Sequence, residues 1–255
     1  MLPARADRST LISALRARRL ERTLTTTLPA VDPRDEQAVA PTGVSALDVR
    51  LGGGLPRGQV SQLTGPRSSG RTSLLLQTLA AATRRGELVA MVDALDMLDV
   101  ESASAAGIDL ARLLWIRGLV VPNPGLCRDL NQRAMEQAVK ALGLVLQAGN
   151  FGLVVLDLGE APADAVKRLP FTTWLRVQRM VEGSQTVGLV VGSEPVSRSA
   201  AGVSIALRAA ADAAPARFAG TLFDGLSLEA CVARARVQAS ETRPVAVATK
   251  VAHHA

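Results

Sequence analysis

The chain holds 255 residues, carries a formal net charge of +6, and is 48% hydrophobic but only 2% aromatic. That size and apolar fraction suit one sizeable core, so a single large α/β domain is expected ahead of two small ones. Cys127 and Cys231 are too few and too far apart for a disulfide framework or a zinc site, and no apolar run reaches the ~20 residues of a membrane span.

Residues 9–22 read as a helix capped by Ser9 or Thr10, with Leu11, Ile12, Leu15 and Arg19/Leu20 on one face. Around it stand Arg5, Arg8, Arg16, Arg18, Arg19 and Arg22 against Asp7 and Glu21. Such a segment fits a nucleic-acid arm or a partner-docking arm, and equally a solvated amphipathic helix. Arg16, Arg18 and Arg19 break the first apolar residues, so no secretory signal is legible and a cytoplasmic setting is expected. Residues 23–40, with Pro29 and Pro33, read as a linker or arm. The expected domains are therefore 1–40, a core over 41–238, and an unstructured tail over 239–255 that includes His253 and His254.

Strands and helices alternate through the core. Strands are predicted at Gln59–Thr64, Glu87–Asp93, Leu113–Arg117, Gly152–Leu158 and Thr186–Gly192. Helices are predicted from Arg71 to Thr83, Val100 to Ala106, Pro124 to Ala148 and Thr172 to Glu182. The long helix shows a stripe of Leu130, Ala134, Ala138 and Leu142. Shorter strands follow at Ile205–Ala211, Ala216–Ala219 and Ser227–Ala233. Near-continuous apolar strands between helices imply a mostly parallel sheet covered on both faces.

The chemistry-bearing motif is Gly65-Pro66-Arg67-Ser68-Ser69-Gly70-Arg71-Thr72, set between a strand and a helix. It reads G-x-x-x-x-G-R-T where a phosphate-binding loop has G-x-x-x-x-G-K-[ST]. Gly65, Ser68, Ser69, Gly70, Arg71 and Thr72 are the candidate phosphate-binding residues, with Thr72 a candidate hydroxyl for magnesium. Arginine keeps the charge of the lysine, but its planar fork is not equivalent to a compact ammonium. Leu153–Asp157 is an apolar strand closing on a carboxylate, the place where nucleotide hydrolases hold magnesium directly or through water. The alternative is a buried strand whose last aspartate turns the chain. Past Asp93, where a water-activating carboxylate is needed, stand Ala94-Leu95-Asp96, and Leu95 cannot polarise water.

Three segments, Thr42–Asp48, Leu51–Gly58 and Gly65–Thr72, resemble the RecA recombinase family in order and spacing. The resemblance runs on through Val92–Ala94, Leu98-Asp99, Ala106–Leu110 and Leu113-Leu114, resumes at the Asp157 strand, and covers residues 40–212. It implies a RecA-like P-loop core with a mostly parallel sheet flanked by helices, plus an N-terminal helix. It places the family's loop lysine at Arg71 and its catalytic glutamate at Leu95. The glutamine that couples nucleotide to DNA falls at Ser193 or Glu194, and the DNA-binding loops fall at 159–170 and 193–202. Arg198 and Arg208 are left as candidate phosphate contacts. Within the family, Leu51–Gly58 and Asp109–Arg117 are similar to the ImuA group of bacterial mutagenesis cassettes.

That resemblance implies a non-hydrolysing adaptor in SOS-induced translesion synthesis. No catalytic residue and no required cofactor are expected, with ATP and magnesium binding left open. The implied partner is ImuB, with RecA and a second copy of the chain as further candidates through Leu11, Ile12, Leu15, Arg16 and Arg19. With no tyrosine and few other aromatics, DNA contact is expected to be weak, non-specific and through phosphates. When engaged, the protein is expected at the nucleoid. Two competing readings are an active recombinase-like ATPase in which Arg71 and Asp96 are substitutes, and an SOS cell-division inhibitor on the same fold.

Overall fold

The computed structural model describes residues 38–121, 126–196, 202–210, 225–234 and 244–250. The expected N-terminal helix, with Leu11, Ile12, Leu15, Arg16 and Arg19, lies outside the described residues. So do Arg198 and the strand expected at Ala216–Ala219.

The chain opens with β1 (Val39–Ala40), α1 (Ser45–Arg50) and β2 (Leu55–Pro56), β1 pairing antiparallel with β2. There follow β3 (Val60–Thr64), α2 (Arg71–Arg84), β4 (Val89–Asp93), α3 (Val100–Ala105), a 3₁₀ turn (Leu110–Arg112) and β5 (Leu113–Arg117). Next come α4 (Arg128–Ala148), β6 (Leu153–Asp157), α5 (Ala163–Lys167), α6 (Phe171–Val181), β7 (Val187–Gly192), β8 (Ser204–Ala209), β9 (Gly225–Arg234) and β10 (Val245–Lys250). The main sheet has eight strands in the order β10-β9-β8-β3-β7-β6-β4-β5. It is parallel from β8 through β5, while β9 and β10 extend it antiparallel.

Alternation along the strands splits the core in two. Val89 and Met91 of β4, with Leu153 and Val155 of β6, join Leu74, Leu75 and Leu79 of α2. Ala90 and Val92, with Val154 and Leu156, face Ala134, Met135, Leu142, Trp174 and Val177 of α4 and α6. Each strand is therefore buried on both faces, which explains its unbroken apolar sequence.

Three sequence expectations are corrected. The tail expected to be unstructured from residue 239 contains β10, whose Val245 to Lys250 pair with Ala230 to Gly225 of β9. Val247 is buried there, so the short alternating run V-A-V-A-T-K is a strand completing a hairpin. Leu130 is exposed at the first turns of α4, and the buried row runs instead through Asn131, Ala134, Met135, Ala138, Val139 and Leu142. Short helices α1 and α5 fall where no helix is expected; α5 lies inside the segment read as a loop.

A buried ion cluster fastens the amino-terminal ends of the strands, opposite the Gly65–Thr72 loop. Glu87, just before β4, accepts from Arg57 Nη2 at 2.6 Å and from Arg85 Nε at 3.0 Å. Arg57 also donates to Gln185 O (2.8 Å), and Arg85 to Pro41 O (2.9 Å). Four chain segments thus meet at one carboxylate.

Candidate nucleotide-binding site

The loop joining β3 to α2 has the backbone of a phosphate cradle. Gly70 is the N-cap of α2 at φ 78°, and Ser68 also has positive φ (61°), so the chain turns sharply at the start of α2. A Cβ on Gly70 would overlap Leu228 of β9, and one on Gly65 would overlap Ser69 Oγ. Both glycines are therefore required by close approach. Ser69 is buried and, among the described residues, its Oγ has no hydrogen-bond partner, whereas Thr72 is exposed.

Arg71 is folded into the protein, with 7% of its surface exposed. Its Nη1 donates to Gly65 O at 2.5 Å, and its Nη2 donates to Gly159 O at 3.2 Å and Glu160 Oε1 at 2.7 Å. The guanidinium thus ties the start of its own loop to the segment that follows β6. A lysine ammonium has no planar fork with which to span these three acceptors. Glu160 is not among the residues expected from the sequence; a carboxylate three residues beyond the Asp157 strand carries no motif.

Asp157 ends β6 opposite Asp93 of β4, in register. Burial pushes its carboxyl up to about 6, and the nearby charge of Asp93 acts the same way. The amide of Gly159, which donates to Oδ1 at 2.8 Å, and the charge of Arg71 oppose the rise without cancelling it. Asp93 is itself engaged, accepting from the Leu98 amide (2.8 Å) and Trp115 Nε1 (3.3 Å).

Leu95, 3% exposed, belongs to the apolar cluster on the α4–α6 face of the sheet with Leu158 and Val92. Asp96 follows at φ 59° and turns away into a bidentate pair with Arg117, both contacts 2.7 Å. Arg117 in turn lies over Trp115 at 4.8 Å from the ring centroid. This Asp96–Arg117–Trp115 constellation is hidden in the sequence because Asp96 and Arg117 are 21 residues apart and fit no motif.

A small cleft separates the segments after β6 and β7, lined by Leu158, Val166, Gly192 and Pro195 among others. Lys167 and Glu194, which also line it, pair at 3.2 Å. Arg208, on β8, is paired with Glu229 of β9 at 2.7 Å. The candidate residues Gly65, Ser68, Ser69, Gly70, Arg71, Thr72 and Asp157 therefore gather at the carboxyl ends of β3 and β6, with Arg71 bridging the two segments. Arg208 follows Leu207, whose carbonyl oxygen would meet a Cβ on Gly65 at 2.9 Å, and its guanidinium is held by Glu229.

The model of the RecA N-terminal domain matches residues 27–162, more than half of the chain. The chain belongs to the RecA N-terminal domain family. Among its relatives are the RecA proteins of Clavibacter michiganensis subsp. michiganensis (41% identical over 127 residues) and Streptomyces avermitilis (40% over 126). These matches cover 49% of this chain and 31% and 30% of those relatives. The RecA protein of Streptomyces ambofaciens is 42% identical over 120 residues, 47% of this chain and 28% of its own. The chain thus spans about a third of the length of the curated relatives it matches.

As a RecA-family site, the loop fits a nucleotide only in part. The backbone of Gly65–Gly70, the unpartnered Ser69 Oγ and the exposed Thr72 suit a phosphate. The charged side chain that belongs on the phosphates is instead engaged by Gly65 O, Gly159 O and Glu160. Leu95 lies in the core and Asp96 on Arg117, so neither presents a free carboxylate to a water.

Proposed function

We propose that this RecA-family chain is a catalytically degenerate adaptor of bacterial DNA damage tolerance, of the ImuA kind, working through protein contacts. The observation that carries the reading is the buried Arg71 guanidinium, which braces the phosphate loop against Gly159 and Glu160. Leu95 in the apolar core and Asp96 clamped by Arg117 support it from the water-activating side. A hydrolysing site needs a free cation on the phosphates and a group that orients water. The resemblance of Leu51–Gly58 and Asp109–Arg117 to the ImuA group supplies the partners, ImuB first and RecA second, with the Leu11/Ile12/Leu15 face as the contact for RecA or a second copy of the chain.

The test is an ATPase assay on the purified chain, with and without single-stranded DNA, beside a nucleotide-binding titration. No turnover above background is expected. Sustained turnover approaching ~1 s⁻¹, the low end for ordinary enzymes, would refute the reading. Pull-downs with ImuB and RecA test the partners. Deletion of residues 1–25 is expected to abolish capture of RecA or of a second copy, and unchanged capture would remove the helix from that interface.

A further inference from the structure

We propose, on the reading of the Gly65–Thr72 loop as a degenerate phosphate cradle, that Glu160 is the residue that shuts it. Its carboxylate stands in for the phosphate, and removing that one charge reopens the loop to polyphosphate anions. Two observations mark an anion site whose place is taken. Ser69 Oγ is buried, lies against Gly65 inside the loop, and has no hydrogen-bond partner among the described residues. Buried hydroxyls in folded proteins are nearly always paired, so an orphan one beside the N-terminus of the 14-residue α2 points to an anionic ligand.

Arg71, the first residue of that helix, supplies the second. Its guanidinium is buried, and a buried cation needs a counter-charge. Gly65 O and Gly159 O, two of its three acceptors, are neutral carbonyls. Among the described residues, Glu160 alone brings a negative charge into contact with it, at 2.7 Å. The pair is one-sided in its exposure: the Arg71 side chain is 7% exposed and that of Glu160 41%. The carboxylate therefore reaches the guanidinium from the solvent side, by which any ligand must arrive. Among the described residues Glu160 has no other hydrogen bond or ion pair, so this contact is its one polar engagement.

The neighbouring carboxylates act in the same sense without touching Arg71. Asp93 and Asp157 are both buried, and Asp157 feels Arg71 in one direction and Asp93 and Glu160 in the other, so all four share one electrostatic neighbourhood. Three carboxylates against one guanidinium repel a further anion. Asp93 and Asp157 also hold backbone amides at the ends of their strands, from Leu98 and Gly159. Glu160 holds none, and is the one acid of the three that can be neutralised without disturbing the backbone around it.

The test is calorimetric titration of the full chain with inorganic tripolyphosphate in magnesium-free buffer, which probes the cradle without a base or a metal. Glu160→Gln keeps an oxygen acceptor for Arg71 Nη2 and loses only the charge, while Glu160→Ala loses both. Each is expected to bind tripolyphosphate about tenfold or more tightly than the wild-type chain. Glu136→Gln, an equal loss of charge on the exposed side of α4, is expected to leave the affinity unchanged. In an Arg71→Ala chain, Glu160→Gln is expected to give no gain, because the cation it would release is gone. Thermal melts establish that each variant is folded. A lower melting temperature with unchanged affinity would make the pair a brace and overturn the proposal. So would an equal gain from Glu136→Gln, a full gain in the Arg71→Ala background, or no binding by either folded Glu160 variant. ATP turnover by the wild-type chain would refute the adaptor reading, whereas the ratio of tripolyphosphate affinities alone decides the role of Glu160.

Discussion

Asp157 is buried beside Asp93 and gains one backbone hydrogen bond in return, from Gly159. Its native carboxyl, near 6, lies above the value of about 4 that an unfolded chain gives. The fold thus prefers the protonated form. The associated stability is full below pH ~4, is lost as pH rises from about 4 to about 6, and stays lost above that. The loss at neutral pH is roughly 3 kcal/mol, because a proton held about a hundredfold more tightly in the folded chain must be given up. Asp157→Asn, which retains an acceptor for the Gly159 amide, is expected to flatten the stability profile between pH 4 and 6 and raise stability at pH 7. Urea midpoints across that range check it; an unchanged slope would mean that Asp157 titrates normally. Glu87 is the opposite case, a buried carboxylate satisfied by two arginines. Glu87→Ala leaves both guanidiniums without their shared acceptor and is expected to cost about 3–5 kcal/mol, read as a lower denaturation midpoint.

The elements divide according to how local their causes are. β4, β6 and β7 are legible because burial on both faces demands unbroken apolar runs, and the loop after β3 is legible because its glycines obey close contacts with Leu228 and Ser69. β10 is not, because V-A-V-A-T-K is short and weakly apolar, and it becomes a strand by pairing with β9. Helix α1 is hidden for a similar reason. Its six residues carry little periodicity of their own, and it is held by Asp48, which accepts from the Thr42 amide (2.7 Å), Thr42 Oγ1 (2.8 Å) and the Gly43 amide (3.2 Å). At this scale the sensitive joint is Gly70, where α2 begins beneath Leu228 of β9. Gly70→Ala meets both an unfavourable φ and a steric overlap, and is expected to destabilise by more than about 1 kcal/mol. Pairing it with Leu228→Ala separates the causes. The smaller side chain removes the overlap and leaves the backbone cost, so partial recovery in thermal melts is expected.

Across the whole molecule, family membership is readable from motif order, while the state of the site is not. The sequence places arginine at 71 and leucine at 95, but says nothing of Glu160, which gives Arg71 an ion-pair partner inside the protein. Nor can it show that Asp96 points to Arg117, since the pairing follows from β4 and β5 lying side by side. Restoring one position should therefore be insufficient. Arg71→Lys alone is expected to free Glu160 and tighten nucleotide binding without turnover. Arg71→Lys with Leu95→Glu is expected to give measurable, slow hydrolysis, with a charge inserted into the apolar cluster and a lower melting temperature as the accompanying loss. A single-turnover assay with radiolabelled ATP checks both. Hydrolysis by the single variant, or none by a folded, nucleotide-binding double variant, would place the defect elsewhere.

The three acceptors gathered by Arg71 have a consequence for control. Loops that hold a γ-phosphate ordinarily change shape with the occupant of the cradle, and so report the energy state of the cell. A loop pinned by its own side chain to Gly159 and Glu160 would hold one shape at any ratio of ATP to ADP. The protein would then have no internal clock. How long it stays with a partner would be set by the dissociation rate of the complex, and how much complex forms by how much of the chain is synthesised.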